Sequence, residues 1–209
     1  MEPRRIRCSA VAAVALLGLA ACGEDQENET AAPSGETVQL EPDYPSYDQE
    51  SMTAEAVLIA SGTVIATEHT VLTPTYEGDT PEENPLLGLS EEEKQEAMEQ
   101  DEGVPATAIT FRINEVQKGD ASPGDEIVIV QTGGMVDGIE YEASGTTIME
   151  DGVEYLVFAG EGNDGTYNVL GGSAGLYRGS GDTYEAVDPE APFDSISEDE
   201  AESLADEHQ

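Results

Sequence analysis

Cys8 and Cys22, His69 and His208, Ser173 among paired glycines, and a large excess of carboxylates are the groups in this sequence able to do chemistry. Gly171-Gly172-Ser173-Ala174-Gly175 spells the G-x-S-x-G pattern of a nucleophilic serine, and Asp182 or Asp188 followed by His208 completes a triad in order. That pattern works only on a strand-to-helix turn. Leu176-Tyr177-Arg178 reads as a strand, so a glycine turn is expected there and no catalytic serine. Gly160-Glu161-Gly162-Asn163-Asp164-Gly165 spells G-x-G-x-x-G, but a strand (Thr166 to Leu170) follows where a dinucleotide site needs a helix. It reads as a hairpin turn. His69 is the sole histidine of the central region, and without a second histidine or a thiol no zinc or copper site is expected; beside Glu68 it reads as a polar turn residue. Asp137 with Glu140, or Asn163 with Asp164, could give oxygens to calcium, but neither spacing follows the helix-loop-helix calcium loop. The expectation is no metal and no cofactor.

Those groups leave Cys22, and the sequence in front of it explains its chemistry. Arg4, Arg5 and Arg7 precede an apolar run from Ala10 to Ala21 that falls short of the ~20 residues a membrane-spanning helix needs. Ile6-Arg7-Cys8 after the arginine pair does not support a twin-arginine export route. Leu19-Ala20-Ala21-Cys22 resembles the lipobox of bacterial lipoproteins. The resemblance implies that residues 1–21 are a signal peptide, that Cys22 becomes the first mature residue, and that its sulfur is acylated. Two acyl chains would give a durable anchor where one is reversible. The implied location is the cell membrane, lipid-anchored and facing the extracytoplasmic side.

Charge sets the class of partner. The chain holds 7 basic and 46 acidic residues. Without Arg4, Arg5, Arg7 and Glu2, residues 22–209 keep four bases (Lys94, Arg112, Lys118, Arg178) against 45 acids, a net of −41. Nucleic-acid binding rests on neutralising phosphates with Lys and Arg, so it is excluded. An anionic lipid surface would repel the chain, and attachment must come from the lipid on Cys22. A cationic ligand or a basic envelope protein fits the charge; so does a solvated acidic surface. With Cys8 in the leader and Cys22 as the lipid site, no disulfide is left, and the domain must fold by burial alone.

The elements follow from patterning. Residues 22–53 are polar, acidic and rich in Pro and Ser, and read as a disordered tether; Tyr44 and Tyr47 within it could form a small docking motif. Residues 54–187 read as the folded domain. A β-branched run from Ala56 to Thr67 is a strand with a bulge at Gly62, and Thr70-Val71-Leu72-Thr73 extends it or pairs with it. Residues 74–103 form an insertion: a loop, then a helix over Glu91–Gln100 opened by the capping box Ser90-x-x-Glu93, with Leu86, Leu87 and Leu89 as its docking contact. Its lack of an apolar face favours a surface decoration over a lid. Alternation of Thr107, Ile109, Phe111 and Ile113 marks a half-buried strand. Strands follow at 126–132, 154–159 and 166–170, with a loop at 135–145 and a last hairpin from 174–178 to 183–187. Residues 188–209 read as an acidic tail, with a capping box at Ser197-Glu200 and a helix too short to hold alone.

Five to seven short strands with Gly-rich turns give a mainly β fold: a small antiparallel, OB-like barrel or sandwich with a short helix inserted between early strands. Gly62-Thr63-Val64, Glu115 to Gly119, Gly124 to Val128, Gly133-Gly134 and Gly152 to Phe158 resemble exported bacterial barrel domains of the netrin/TIMP-like class, which implies a fold and no catalytic residues. The functional expectation is a binding or interaction module of the cell envelope, without enzymatic activity, with loops 74–103 and 135–145 as candidate contacts. The alternatives are a glycan-acting enzyme using paired carboxylates such as Glu140 and Glu142, or a purely structural acidic surface protein.

Overall fold

A computed structural model of the chain describes residues 35–73, 78, 80, 84–100 and 103–208. Residues 1–34, with the expected leader and Cys22, and residues 81–83 of the expected loop lie outside the described residues.

The described chain runs β1 (Thr37–Leu40), α1 (Gln49–Glu55), β2 (Leu58–Leu72), α2 (Glu91–Gln100), β3 (Val104–Lys118), β4 (Glu126–Thr132), β5 (Gly134–Val136), β6 (Ile139–Ala143), β7 (Glu154–Glu161), β8 (Tyr167–Val169), β9 (Leu176–Ser180), β10 (Thr183–Ala186), β11 (Ser195–Ile196) and α3 (Glu198–Glu207). β2, β3, β4, β8 and β7 pair in that order, and β7 closes back on both β8 and β2. The result is the expected OB-like barrel of five strands, antiparallel except where β8 meets β4. β9, β10 and β11 continue the sheet outward from β7, and β1-β6-β5 forms a separate three-strand sheet.

β7 is buried on both faces, which suits its unbroken apolar run Tyr155 to Ala159. Tyr155, Val157 and Ala159 point into the barrel with Leu58, Ala60, Ile109, Phe111, Ile113 and Ile129. Leu156 and Phe158 point outward into a second core with Ile59, Tyr177, Phe193, Met52, Ala201 and Ala205. Phe158 stacks on Phe193 with ring centres 5.8 Å apart, and Tyr177 meets both edge-on. Gly62 lets β2 bend across β3: a Cβ there would strike the Arg112 carbonyl and the Phe111 ring, and the register slips between Ser61 and Gly62.

The second core corrects both ends of the expected domain. The described fold already holds β1 and the start of α1 ahead of residue 54. Asp48 caps α1 through the Ser51 N–H, Ser51 reciprocates, and Met52 and Thr53 are buried. Tyr47 packs against the outer core, and Tyr44 lies against Gly172 and Gly145. These tyrosines are packing residues of the fold and not a motif on a linker. The tail is not frayed either: α3 opens at its Ser197–Glu200 capping box and seats Ala201 and Ala205 on the outer core, with Ile196 as a buried neighbour. Propensity alone leaves a ten-residue helix marginal, and burial of its small apolar face decides the matter.

Two other expectations change. Residues 135–145 hold a hairpin, β5–β6, whose turn is Asp137-Gly138 with φ of 52° and 81°. An Asp-Gly pair with both φ positive is the favoured two-residue hairpin turn. The insertion helix α2 has the expected bounds and cap, but Leu87, Leu89 and Met98 stay exposed, so the docking contact assigned to Leu86, Leu87 and Leu89 reduces to a half-buried Leu86.

Candidate functional site

β5 crosses the face of β2 and β3 where those strands run past the barrel. With the β1-β6-β5 sheet it bounds a cleft of about 520 Å³, lined by His69, Thr107, Met135, Glu140, Tyr141, Glu142 and Ser144 among others. The crossing is held from below. His69, on β2, sits cross-strand from Thr107 on β3. Its Nδ1 accepts the Met135 N–H at 3.1 Å, which places the proton of the neutral ring on Nε2. The fully buried Thr107 hydroxyl donates to the Gly133 carbonyl at 2.8 Å. Gly134 has φ of 129°, and a Cβ there would run into Thr107 Oγ1 and His69 Nδ1. The strand lies so close only because residue 134 has no side chain. His69 is therefore a strand residue that positions β5, and not the turn residue its neighbours suggested.

The far wall is pinned in the same way. Gln131, 4% exposed, donates to the Thr147 carbonyl and accepts the Met149 N–H. Ser173 Oγ accepts the Thr147 N–H, and the Ser173 N–H donates to the Gly145 carbonyl at 2.8 Å. Ser173 is 2% exposed and lies in the turn between β8 and β9. Its hydroxyl is committed to holding the 145–148 segment, and His208 caps the end of α3. The serine triad spelled by the sequence is not assembled as a strand-to-helix elbow. Gly160 to Gly165 joins β7 to β8 through a short 3₁₀ turn, as the hairpin reading expected.

Glu140 and Glu142 stand two residues apart on β6, on one face and exposed. Glu142 accepts a hydrogen bond from Gln39 Nε2 on β1 at 2.6 Å. They flank the cleft as neighbours on a strand and do not face each other across it. Asp137 forms the β5–β6 turn and Asp164 the 3₁₀ turn, both with positive φ. Among the described residues no group of three or more His, Cys, Asp or Glu could hold a metal ion.

Sequence reasoning missed a carboxyl cluster on the other side of the barrel. Tyr184 OH lies 2.9 Å from Glu154 Oε1 and 2.8 Å from Glu198 Oε1. One phenol proton serves two carboxylates. The buried Ser61 hydroxyl faces Tyr184 and Glu198 without reaching good hydrogen-bond geometry. Glu115 on β3 meets Glu198 in the first turn of α3. The negative charge of Glu198, then the hydrogen bond between them, raises the Glu115 pKa. Burial works against charge on Glu198, but the Ser61, Tyr184 and Glu115 hydroxyl and carboxyl groups around it prevail and hold its pKa below the usual range. When the pair holds a single proton, that proton resides on Glu115. Burial first, then its carboxylate neighbours, keeps Tyr184 a neutral phenol.

The four bases of residues 22–209 are all engaged. Lys94 pairs with Glu91, Arg112 with Glu126 and Arg178 with Glu150. Lys118 Nζ donates to the Thr53 and Ala54 carbonyls at the end of α1, at 2.8 and 3.1 Å, and burial lowers its pKa.

Fold and cleft together define a small OB-like barrel with an accessory three-strand sheet. Compared with protein-family models and with curated proteins, the sequence matches none of them.

Proposed function

We propose that this chain is an extracytoplasmic lipoprotein, held to the cell membrane by an acylated Cys22, whose barrel is a binding module of the cell envelope. The observation that carries the anchor is Leu19-Ala20-Ala21-Cys22 behind a basic, apolar leader. The binding reading draws support from the cleft. His69 and Thr107 fix its floor, Gln131 pins its far wall through the Thr147 carbonyl, and its rim is open and acidic at Glu140 and Glu142. Pre-formed concavities with a few fixed polar groups are what ligand sites are made of. The acidic rim selects cationic or basic partners, and nucleic acid is excluded by charge.

The test is a Cys22→Ser variant followed through detergent phase partition of cell envelopes. The unchanged chain is expected in the detergent phase with a mass increase for its lipid. The variant is expected unlipidated and in the aqueous phase. A Cys22→Ser chain that still partitions with detergent would overturn the anchor.

A further inference from the structure

We propose that the outer edge of β2, from Ala66 to Leu72, takes an extended basic segment of a partner polypeptide by strand addition. The argument begins with which way the backbone points. β2 pairs with β3 from Ile59 to Leu72, but with β7 only from Leu58 to Thr63. The last bonds on the β7 side are made by Val64, whose N–H donates to the Val153 carbonyl and whose carbonyl accepts from Gly152. Beyond Val64, Ile65 is the extra residue of a bulge, and the register then runs unbroken from Ala66 to Leu72.

In that stretch Val71 lies opposite Pro105, whose carbonyl accepts the Gly133 N–H on the β4 side. A residue in an antiparallel strand sends its N–H and C=O to the same side. Pro105 therefore turns away from β2, and Val71 must point its own N–H and C=O away from β3, to the open edge. Alternation adds His69 and Thr67. Ile113 confirms the phase: its N–H donates to the Asp125 carbonyl and its carbonyl accepts from Gly124, on the same side as Pro105. Thr67, His69 and Val71 thus present three donors and three acceptors, and among the described residues nothing pairs with them.

Exposed edges in stable proteins are usually guarded by lysine, proline or extreme shortness. This one has β-formers at Thr67, Thr70 and Val71, and its only charge is Glu68. Charge then names the occupant. Glu68 lies on the edge, Asp151 beside the Val64 end, and Glu140 across β5 from the Met135 that sits on His69. All three are exposed, none has an ion pair, and every base of residues 22–209 is already engaged. A second copy would set these acids against their own likeness, whereas a strand bearing Lys or Arg on alternate positions supplies the missing cations. Backbone bonds give affinity in strand addition, and alternate side chains give choice.

The inference deepens the binding-module reading and needs nothing from the lipid anchor. The full-length chain in detergent is titrated with an eight-residue peptide alternating Lys and Val, while amide exchange is followed by NMR. Exchange at Thr67, His69 and Val71 is expected to slow at least tenfold at saturation. The Glu-Val counterpart, and a Lys-Val peptide N-methylated at alternate residues, are expected to give no protection. Val71→Pro removes an outward N–H without touching a β2–β3 bond and should weaken binding at least tenfold. Should that variant fail to fold, Glu68→Lys should weaken it severalfold. Unprotected amides, equal binding by the methylated peptide, or protection that grows with protein concentration alone would each overturn the proposal. Protection confined to residues 133–144 would overturn it too, while leaving a module that binds through its cleft.

Discussion

Gly134 meets two constraints, and either alone would exclude a side chain. Its φ of 129° lies outside what L-residues adopt readily, and the space a Cβ would occupy belongs to Thr107 and His69. Gly134→Ala is expected to cost about 2–4 kcal/mol, a compound of backbone strain and overpacking. Denaturant unfolding measures the loss, and a nitrogen-15 spectrum should show the His69 ring freed from Met135. A variant as stable as the parent would mean that β5 does not rest on the barrel. In the sequence, Gly133-Gly134 was legible as a glycine pair within the barrel resemblance. Its closeness to His69 was not, because that contact joins residues 65 positions apart. Ser173 teaches the converse. Its flanking glycines match a catalytic pattern, yet they serve a turn whose hydroxyl accepts the Thr147 N–H. Residue type and local spacing are common to both uses, and only the element that follows tells them apart.

At the scale of elements, the capping boxes were the most informative signals. Ser90–Glu93 and Ser197–Glu200 fixed where α2 and α3 begin, because the cap is a contact between residues three apart. What the helices do is set at long range. α2 keeps Met98 exposed, while α3 buries Ala201 and Ala205 in the outer core, packed beside β3 and β2. α1 escaped notice among acids and prolines although Asp48 and Ser51 cap it, since Met52 is its single large apolar anchor. The Asp137-Gly138 hairpin was legible by its turn pair and was hidden by the short strands around it.

The junction of α3 with β3 is sensitive to pH, and its sign follows from the two carboxyls. Glu115 has a raised pKa, so its contribution is whole below the ordinary glutamate value of ~4.3 and is lost as pH rises through the raised value. Glu198 has a lowered pKa, so its contribution is present above the ordinary value and fades as pH falls through the lowered one. The junction is strongest in mildly acidic solution, with one proton in the pair. Glu115→Gln keeps a donor toward Glu198 and removes the repulsion. It is expected to raise the thermal midpoint by about 1–3 °C at pH 7–8, with the gain vanishing toward pH 4. A gain independent of pH would refute the shared proton.

Across the whole molecule, charge is the dominant unbalanced term. Residues 22–209 carry a net of −41, and their four bases serve local contacts. Self-repulsion opposes the compact state, and salt screens it with a Debye length of ~10 Å at 0.1 M and ~3 Å at 1 M. The midpoint should therefore climb by several degrees between 0.05 and 1 M sodium chloride in calorimetry. A flat or falling curve would place the acids too far apart to matter. The barrel was legible because its strands alternate or run apolar within a few residues of each other. The second core was not: β7 reads as one apolar run, and nothing local says that Leu156 and Phe158 face helices 100 residues and 40 residues away in opposite directions along the chain, on the order set by the fold.

β1 gives the molecule a mechanical character. It lies parallel to β6 through four register pairs, with flanking bonds from Glu140 to the Glu36 carbonyl and from Ser144 to the Leu40 carbonyl. Tension applied from the N-terminal side enters the described fold at this short strand and loads its bonds together, in shear. When they give way, residues 37–43 pay out, roughly 25 Å of chain at ~3.5 Å per residue, before Tyr44, packed against Gly172 and hydrogen-bonded to Thr146, takes the strain. The barrel stays intact while this segment lengthens, so the clip behaves as a fuse between a pulling chain and the barrel.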